Sequence, residues 1–293
     1  MTTVLKSFID ENIQSIESEL ISLVETINAP AHLKESMLYS LKAGGKRVRP
    51  LYVLAVAKSY GIDLKHAITV GAAVEMIHTY SLIHDDLPCM DDDSLRRGKP
   101  TNHVVYGEAL ATLAGDALNT LAFGVLARMD IEAEKRIELV NMLSIAAGAE
   151  GMVGGQILDI EGEKRNLALE ELENVHVNKT GALLRFSIEA GAVLASATAE
   201  DRAALVHYGH HIGLAFQIQD DILDITATSE QLGKTAGKDI ISEKSTYPSL
   251  LTLAGAKQKL EEHYDAAIQS LQNVSIDTEL LKQFAQYIVK RNN

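Results

Sequence analysis

Residues 71–93 read GAAVEMIHTYSLIHDDLPCMDDD. The first two thirds form an apolar stretch with the look of a core-facing helix, and the last nine residues carry five aspartates. An acidic run normally marks a solvated helix end. Here it is fed by an apolar helix, and it has a counterpart about 130 residues later in 213–224, GLAFQIQDDILD. In that second stretch Asp220 and Asp224 stand four apart on one helical face, with Gln217 a turn earlier. Carboxylates on an otherwise apolar face repel one another unless a cation lies between them. A hard cation held by a few carboxylates and completed by water and substrate phosphate is the pattern of magnesium. In the first stretch Asp85 and Asp91 are about 120° apart on an ideal helix. Pro88 disfavours helical geometry at Leu87, so the helix is expected to end there and Asp91 to swing back beside Asp85.

Working outward, apolar residues recur at helical spacing almost everywhere, and alternating strand patterns are nearly absent. Helices are expected over about 5–27, 32–43, from Pro50 to Tyr60, 65–84, 106–129, 133–160, 168–198, 200–226, 246–271 and 277–291. Loops are expected over 87–103 and 227–245. With no linker, repeat or low-complexity tract, the reading is all-α, one domain over 1–293, built of long helices in a large bundle.

Composition excludes several classes. Of 293 residues 46% are apolar and 23% charged, so a buried core is within reach. A net charge of −13 argues against nucleic-acid binding and against docking on anionic lipid. No apolar run of about 18 residues is evident, so no membrane insertion is expected, and the N-terminus lacks the apolar core of a signal peptide. The single Cys89 excludes an internal disulfide and fits a reducing compartment, which makes a cytoplasmic protein the expectation.

Basic groups accompany the carboxylates. Gly44-Gly45-Lys46-Arg47-Val48-Arg49-Pro50 sets three cations at a helix start, where unpaired N–H groups favour an anion. His78 lies two turns before Asp85, and Arg96-Arg97 follow the first acidic run. Lys179-Thr180, Lys234, Lys238 and Lys244 sit in or near the later polar segments. Taken singly, a basic loop means solubility and a lone histidine a core residue; their place beside the carboxylates favours a polyphosphate site. Gly151-Met152-Val153-Gly154-Gly155-Gln156 lacks the ending of a nucleotide-binding loop, so its small residues point to close helix packing. Lys290-Arg291 at the tail reads either as a cover for the site or as a frayed end.

From about residue 40 to 250 the chain resembles the short-chain trans-polyprenyl diphosphate synthases. GGKRVRP, EMIHTYSLIHDDLPCMDDDSLRRGKPTNH, LAGDAL, GMVGGQ, KTGALL, FQIQDDILD and LGKTAGKD match that family in order and spacing. The resemblance implies an isoprenoid-synthase helical bundle around a central cavity, usually a homodimer. It implies catalysis through Asp85, Asp86, Asp91, Asp220, Asp221, Asp224 and Lys179. Asp85, Asp86 and Asp91 would hold two magnesium ions, and Asp220 with Asp224 a third. An allylic diphosphate would meet Arg96, Lys179, Thr180, Gln217, Lys234 and Lys244. Isopentenyl diphosphate would meet Lys46, Arg49, His78 and Arg97. The expected reaction is head-to-tail (1′-4) condensation to C15 farnesyl diphosphate, with Tyr80 and Ser81 bordering the product tunnel. A C20 product, a terpene cyclase and a non-catalytic subunit are the alternatives.

Overall fold

A computed structural model of the chain describes residues 2–163, 165–226 and 244–291. Its helices are α1 (Thr3–Glu25), α2 (Ala31–Leu41), α3 (Val48–Ser59), α4 (Lys65–Asp85), α5 (Asn102–Tyr106), α6 (Glu108–Ala127) and α7 (Ala133–Ala147). They continue as α8 (Met152–Gly162), α9 (Leu169–His176), α10 (Ala182–Leu194), α11 (Ala199–Thr226), α12 (Tyr247–Ser270) and α13 (Glu279–Lys290). The all-α expectation holds.

Which helices lie inside follows from how apolar they are on all sides. In α3 every residue from Pro50 to Ala57 is buried, and α4 is buried continuously from Val70 to Ile77. In α10 eleven of the thirteen residues are buried. Helices that are hydrophobic all round belong in the middle of a large core. The outer helices are striped instead. In α1 Leu5, Phe8, Ile16, Leu20 and Val24 turn inward at spacings of three, four and eight, while the other face is largely open to solvent. At one end Phe284 of α13 meets Phe8 edge-on at 6.0 Å and Tyr52 at 4.9 Å, and the Tyr208 hydroxyl donates to the Leu281 carbonyl at 2.7 Å.

Three expectations need correction. The helix expected over 133–160 breaks between α7 and α8, because Gly148 turns to extended geometry. Residues 87–103 are not all loop. A two-stranded hairpin, β1 (Leu95–Arg96) and β2 (Lys99–Pro100), turns through Arg97 and Gly98, both at positive φ, and α5 begins at Asn102. Finally, α6 and the stretch Ala133–Gly162 are long and apolar enough, by length and composition, to cross a membrane. In the fold α6 lays Ala111, Ala114, Leu118 and Ala122 into the protein core.

Helices α3 and α10 cross where Gly191 leaves room. A Cβ there would stand 2.7 Å from Val56 Cβ and 2.8 Å from the Val53 carbonyl. Gly191→Ala is therefore expected to lower stability: overpacking costs about 1–3 kcal/mol, and the helix-propensity gain of about 1 kcal/mol offsets only part of it. Urea unfolding checks this, and an unchanged or higher midpoint would show that the crossing has slack.

Candidate active site

The two acidic clusters lie in the last turns of α4 and α11. The C-terminal end of a helix is its negative pole, where a carboxylate is disfavoured by roughly 0.3–1 kcal/mol. Helix α4 stops at Asp85, and the chain folds back as the Pro88 argument requires: the Asp91 N–H donates to the Asp85 carbonyl at 2.8 Å. Burial pushes the Asp85 carboxyl up to about 6, with Lys179 opposing and Asp91 adding to the rise. Asp86 is buried and taken up by Arg96, whose Nε and Nη2 donate to it at 2.5–2.9 Å. Tyr80 is buried with its ring edge-on to His84 at 5.6 Å, and the Ser81 hydroxyl donates to the His78 carbonyl at 2.9 Å.

A cavity of about 400 Å³ opens where α3 starts, and Lys46, Arg49, His78 and Arg97 all line it, with Arg47, Glu75, Phe216 and Arg291. Burial lowers the Arg49 and Lys46 pKa values. Burial, and then the surrounding arginines beginning with Arg49, hold His78 well below its ordinary value. The Arg97 guanidinium lies on Gly45 and donates to the Gly44 carbonyl. Any Cβ at Gly45 would sit about where that guanidinium is, 2.6 Å from its Cζ.

A second pocket, about 130 Å³, is lined by Lys179, Thr180, Gln217, Asp221 and Lys244, together with Asp159 and His176. Between α9 and α10 the helix widens into a π turn, Val177–Gly181, which carries Lys179 and Thr180. Such bulges re-aim side chains and recur at functional sites. Gly155 of α8 makes the close approach possible, since a Cβ there would fall 2.1 Å from the Lys179 backbone nitrogen. The packing role expected for that glycine-rich segment is what the structure shows. Thr180 donates to Gln217 at 3.0 Å, and Asp159 accepts from Lys179 at 2.7 Å and Lys244 at 3.0 Å. Burial alone would raise the Asp159 carboxyl, but the two lysines outweigh it and hold it below the usual range.

On α11 the three aspartates of the second cluster divide. Asp221 accepts from Gln217 and from the Tyr247 N–H at 3.0 Å, which ties it to the start of α12. Asp220 is paired with Arg291 at 2.7 Å. Asp224 is buried, and among the described residues neither of its carboxylate oxygens has a hydrogen-bond partner. A buried, uncompensated carboxylate is costly, and this one fits a cation as its missing partner. Among the described residues no three His, Cys, Asp or Glu side chains are already gathered as a cage. Magnesium held by one or two carboxylates plus diphosphate oxygens needs none. Lys234 and Lys238 lie outside the described residues.

A profile of the polyprenyl synthetase family matches residues 30–284. The chain belongs to the polyprenyl synthetase family. The farnesyl diphosphate synthase of Bacillus subtilis (strain 168) is 53% identical, with all of both chains covered. That of Escherichia coli (strain K12) is 48% identical over 88% of this chain and 89% of its own. A chloroplastic geranylgeranyl pyrophosphate synthase of Capsicum annuum is 44% identical over 98% of this chain and 79% of its own. Among solved structures, an apo FPP/GFPP synthase from Zymomonas mobilis superposes with a TM-score of 0.88 at 39% identity, covering 99% of this chain and 100% of that one.

For a polyprenyl synthetase, four residues join the site that sequence reasoning missed or left open. Asp159, His176 and Glu75 carried no signal, because a lone acid or histidine on a helix has no motif. From the sequence Arg291 reads either as a cover or as a frayed end. It is buried, stacks on Phe216 at 4.0 Å, donates to the Phe216 carbonyl, and is tied by Gln219 at 2.8 Å. Asp159→Asn leaves two ammonium groups without their shared counter-charge. Stability in urea at pH 7 is expected to fall by roughly 1.5–3 kcal/mol, and an unchanged midpoint would show that the bridge is idle.

Proposed function

We propose that this enzyme is a magnesium-dependent farnesyl diphosphate synthase, a prenyltransferase that condenses isopentenyl diphosphate with dimethylallyl and then geranyl diphosphate. The observation that carries the reading is the segregation of the basic groups. Lys46, Arg49, His78 and Arg97 share one cavity, while Lys179, Thr180, Gln217 and Lys244 share another. Two substrates that each carry a diphosphate need two such pockets; a cyclase that ionises one diphosphate does not. A non-catalytic subunit has no use for both acidic clusters. The farnesyl product is supported by relatives of that name, four of which are 48–53% identical over 88–100% of this chain.

Asp85, Asp91, Asp220 and Asp224, with Asp86 behind Arg96, would hold the magnesium ions, three in number, which neutralise diphosphate charge and stabilise the leaving group when bound. The remaining work falls to the chain. Lys179, Thr180, Gln217 and Lys244 bind and orient the allylic diphosphate and follow its oxygens as the C–O bond breaks. The double bond of isopentenyl diphosphate, aimed from the neighbouring cavity, attacks the allylic cation; the departed diphosphate takes the proton that is then lost. Water must be kept out, and the walls suit that: Ala182, Leu183 and Phe186 are buried, and Leu184 and Phe216 line the first cavity. The protein is further proposed to be one domain, cytoplasmic and homodimeric. The apolar side chains of Val104, Val105, Leu113, Ile137 and Ile145, exposed on α5, α6 and α7, support the dimer.

Incubating the purified chain with labelled isopentenyl diphosphate, dimethylallyl diphosphate and magnesium, followed by chain-length analysis, tests the proposal; a C15 product is expected. Asp85→Ala or Asp220→Ala is expected to cost two to three orders of magnitude in turnover, roughly 3–4 kcal/mol of barrier. Near-normal turnover of either folded variant would remove the metal assignment. Tyr80 decides between C15 and C20: its buried ring is proposed to floor the tunnel, so Tyr80→Ala is expected to lengthen the product to C20 or beyond. Chromatography of the dephosphorylated products reads this, and lost activity with no longer product would make Tyr80 a packing residue.

A further inference from the structure

Among the described residues lining the 400 Å³ cavity there is one carboxylate, Glu75, against five cations: Lys46, Arg47, Arg49, Arg97 and Arg291. Glu75 is 2% exposed. One of its oxygens accepts from Arg47 Nη1 at 2.8 Å, and the other is buried with no hydrogen-bond partner among the described residues. Arg47 is 3% exposed and donates its other Nη to the Leu41 carbonyl at 2.6 Å. Its backbone is left-handed, φ 48°, at the residue that caps the start of α3. A non-glycine residue holds that conformation only when its surroundings impose it. Lys46 precedes this turn and Arg49 follows it, so the turn decides where both point.

We propose that Glu75, acting through Arg47, is the positioning residue of this cavity, locking the strained turn that aims Lys46 and Arg49 at the diphosphate of isopentenyl diphosphate. The inference rests on the substrate assignment proposed above. Two further observations agree with it. Of the charges around Arg49 and Arg97, Glu75 is the strongest that favours their charged forms, against the burial that opposes them. And the carboxylate is carried by α4 three residues before His78, so one helix sets both the clamp and a ligand of the cavity.

The sign of the effect separates positioning from simple charge balance. Removing a negative charge from a cation cluster would, by Coulomb attraction alone, tighten binding of an anion. A lost clamp loosens it. Glu75→Gln and Glu75→Asp are compared with wild type by steady-state kinetics with each substrate varied, by thermal melts, and by calorimetry of isopentenyl diphosphate without metal. Glu75→Gln is expected to raise the KM and Kd for isopentenyl diphosphate at least tenfold, leaving the allylic KM within about twofold, and Glu75→Asp to fall between. Tighter or unchanged isopentenyl diphosphate binding, or equal rises in both KM values, would overturn the role given to Glu75. If Glu75→Gln does not fold, Arg47→Lys, which keeps the charge and loses the fork, must show the same split or the proposal fails. A wild type that binds isopentenyl diphosphate but does not condense it would count against the proposed reaction, while the calorimetric comparison still decides the clamp.

Discussion

Like charges held close together at the edge of an apolar core, several of them partly or wholly buried, are the constraint on which the rest of this structure depends. Carboxylates at the negative ends of α4 and α11 face cations at the start of α3 and on the π turn, and burial penalises the charged forms of Asp85, Asp86 and Arg49. The fold answers with local stand-ins. Arg96 takes Asp86, Arg291 takes Asp220, Asp159 takes Lys179 and Lys244, and Glu75 takes Arg47. Asp224, with both oxygens buried and without a hydrogen-bond partner among the described residues, is left out of that pairing. The site is thereby kept foldable without substrate, yet short of a positive charge at one end and of a negative charge at the other.

Such a site needs helices that approach more closely than ordinary side chains allow. Gly155 lets α8 press on the backbone of Lys179, and Gly213 brings α11 onto Gly181, where a Cβ would lie 2.9 Å from its Cα. Together they hold the π turn between two helices and fix Lys179 against Asp159. The cavity at α3 is shaped by strain instead: Arg47 and Arg97 both hold left-handed backbone, at a cost of about 1–3 kcal/mol each.

Much of this was legible in the sequence because the signals are periodic or local. Helical spacing identified the bundle, Pro88 foretold the return of Asp91 to Asp85, and the glycine-rich 151–156 segment announced close packing. The hairpin at Arg97-Gly98 was passed over because two-residue strands have no periodicity, although a glycine after the turn arginine was its one sign. The break between α7 and α8 had a sign in Gly148 and Gly151, but apolar residues at helical spacing on both sides of it read as one helix. Asp159, Glu75 and Arg291 were obscure for a different reason: their partners are 20, 28 and 71 residues away along the chain, and only the fold makes them neighbours.

If charge frustration in the site is the central feature, magnesium and an allylic diphosphate must each relieve what the other leaves. The most direct measurement is thermal unfolding of the wild-type protein with magnesium alone, with a non-hydrolysable allylic thiodiphosphate alone, and with both. Linkage then predicts a shift in Tm with both together that clearly exceeds the sum of the separate shifts. Shifts that merely add would show that the carboxylates and the basic pockets are independent, and would contradict the account.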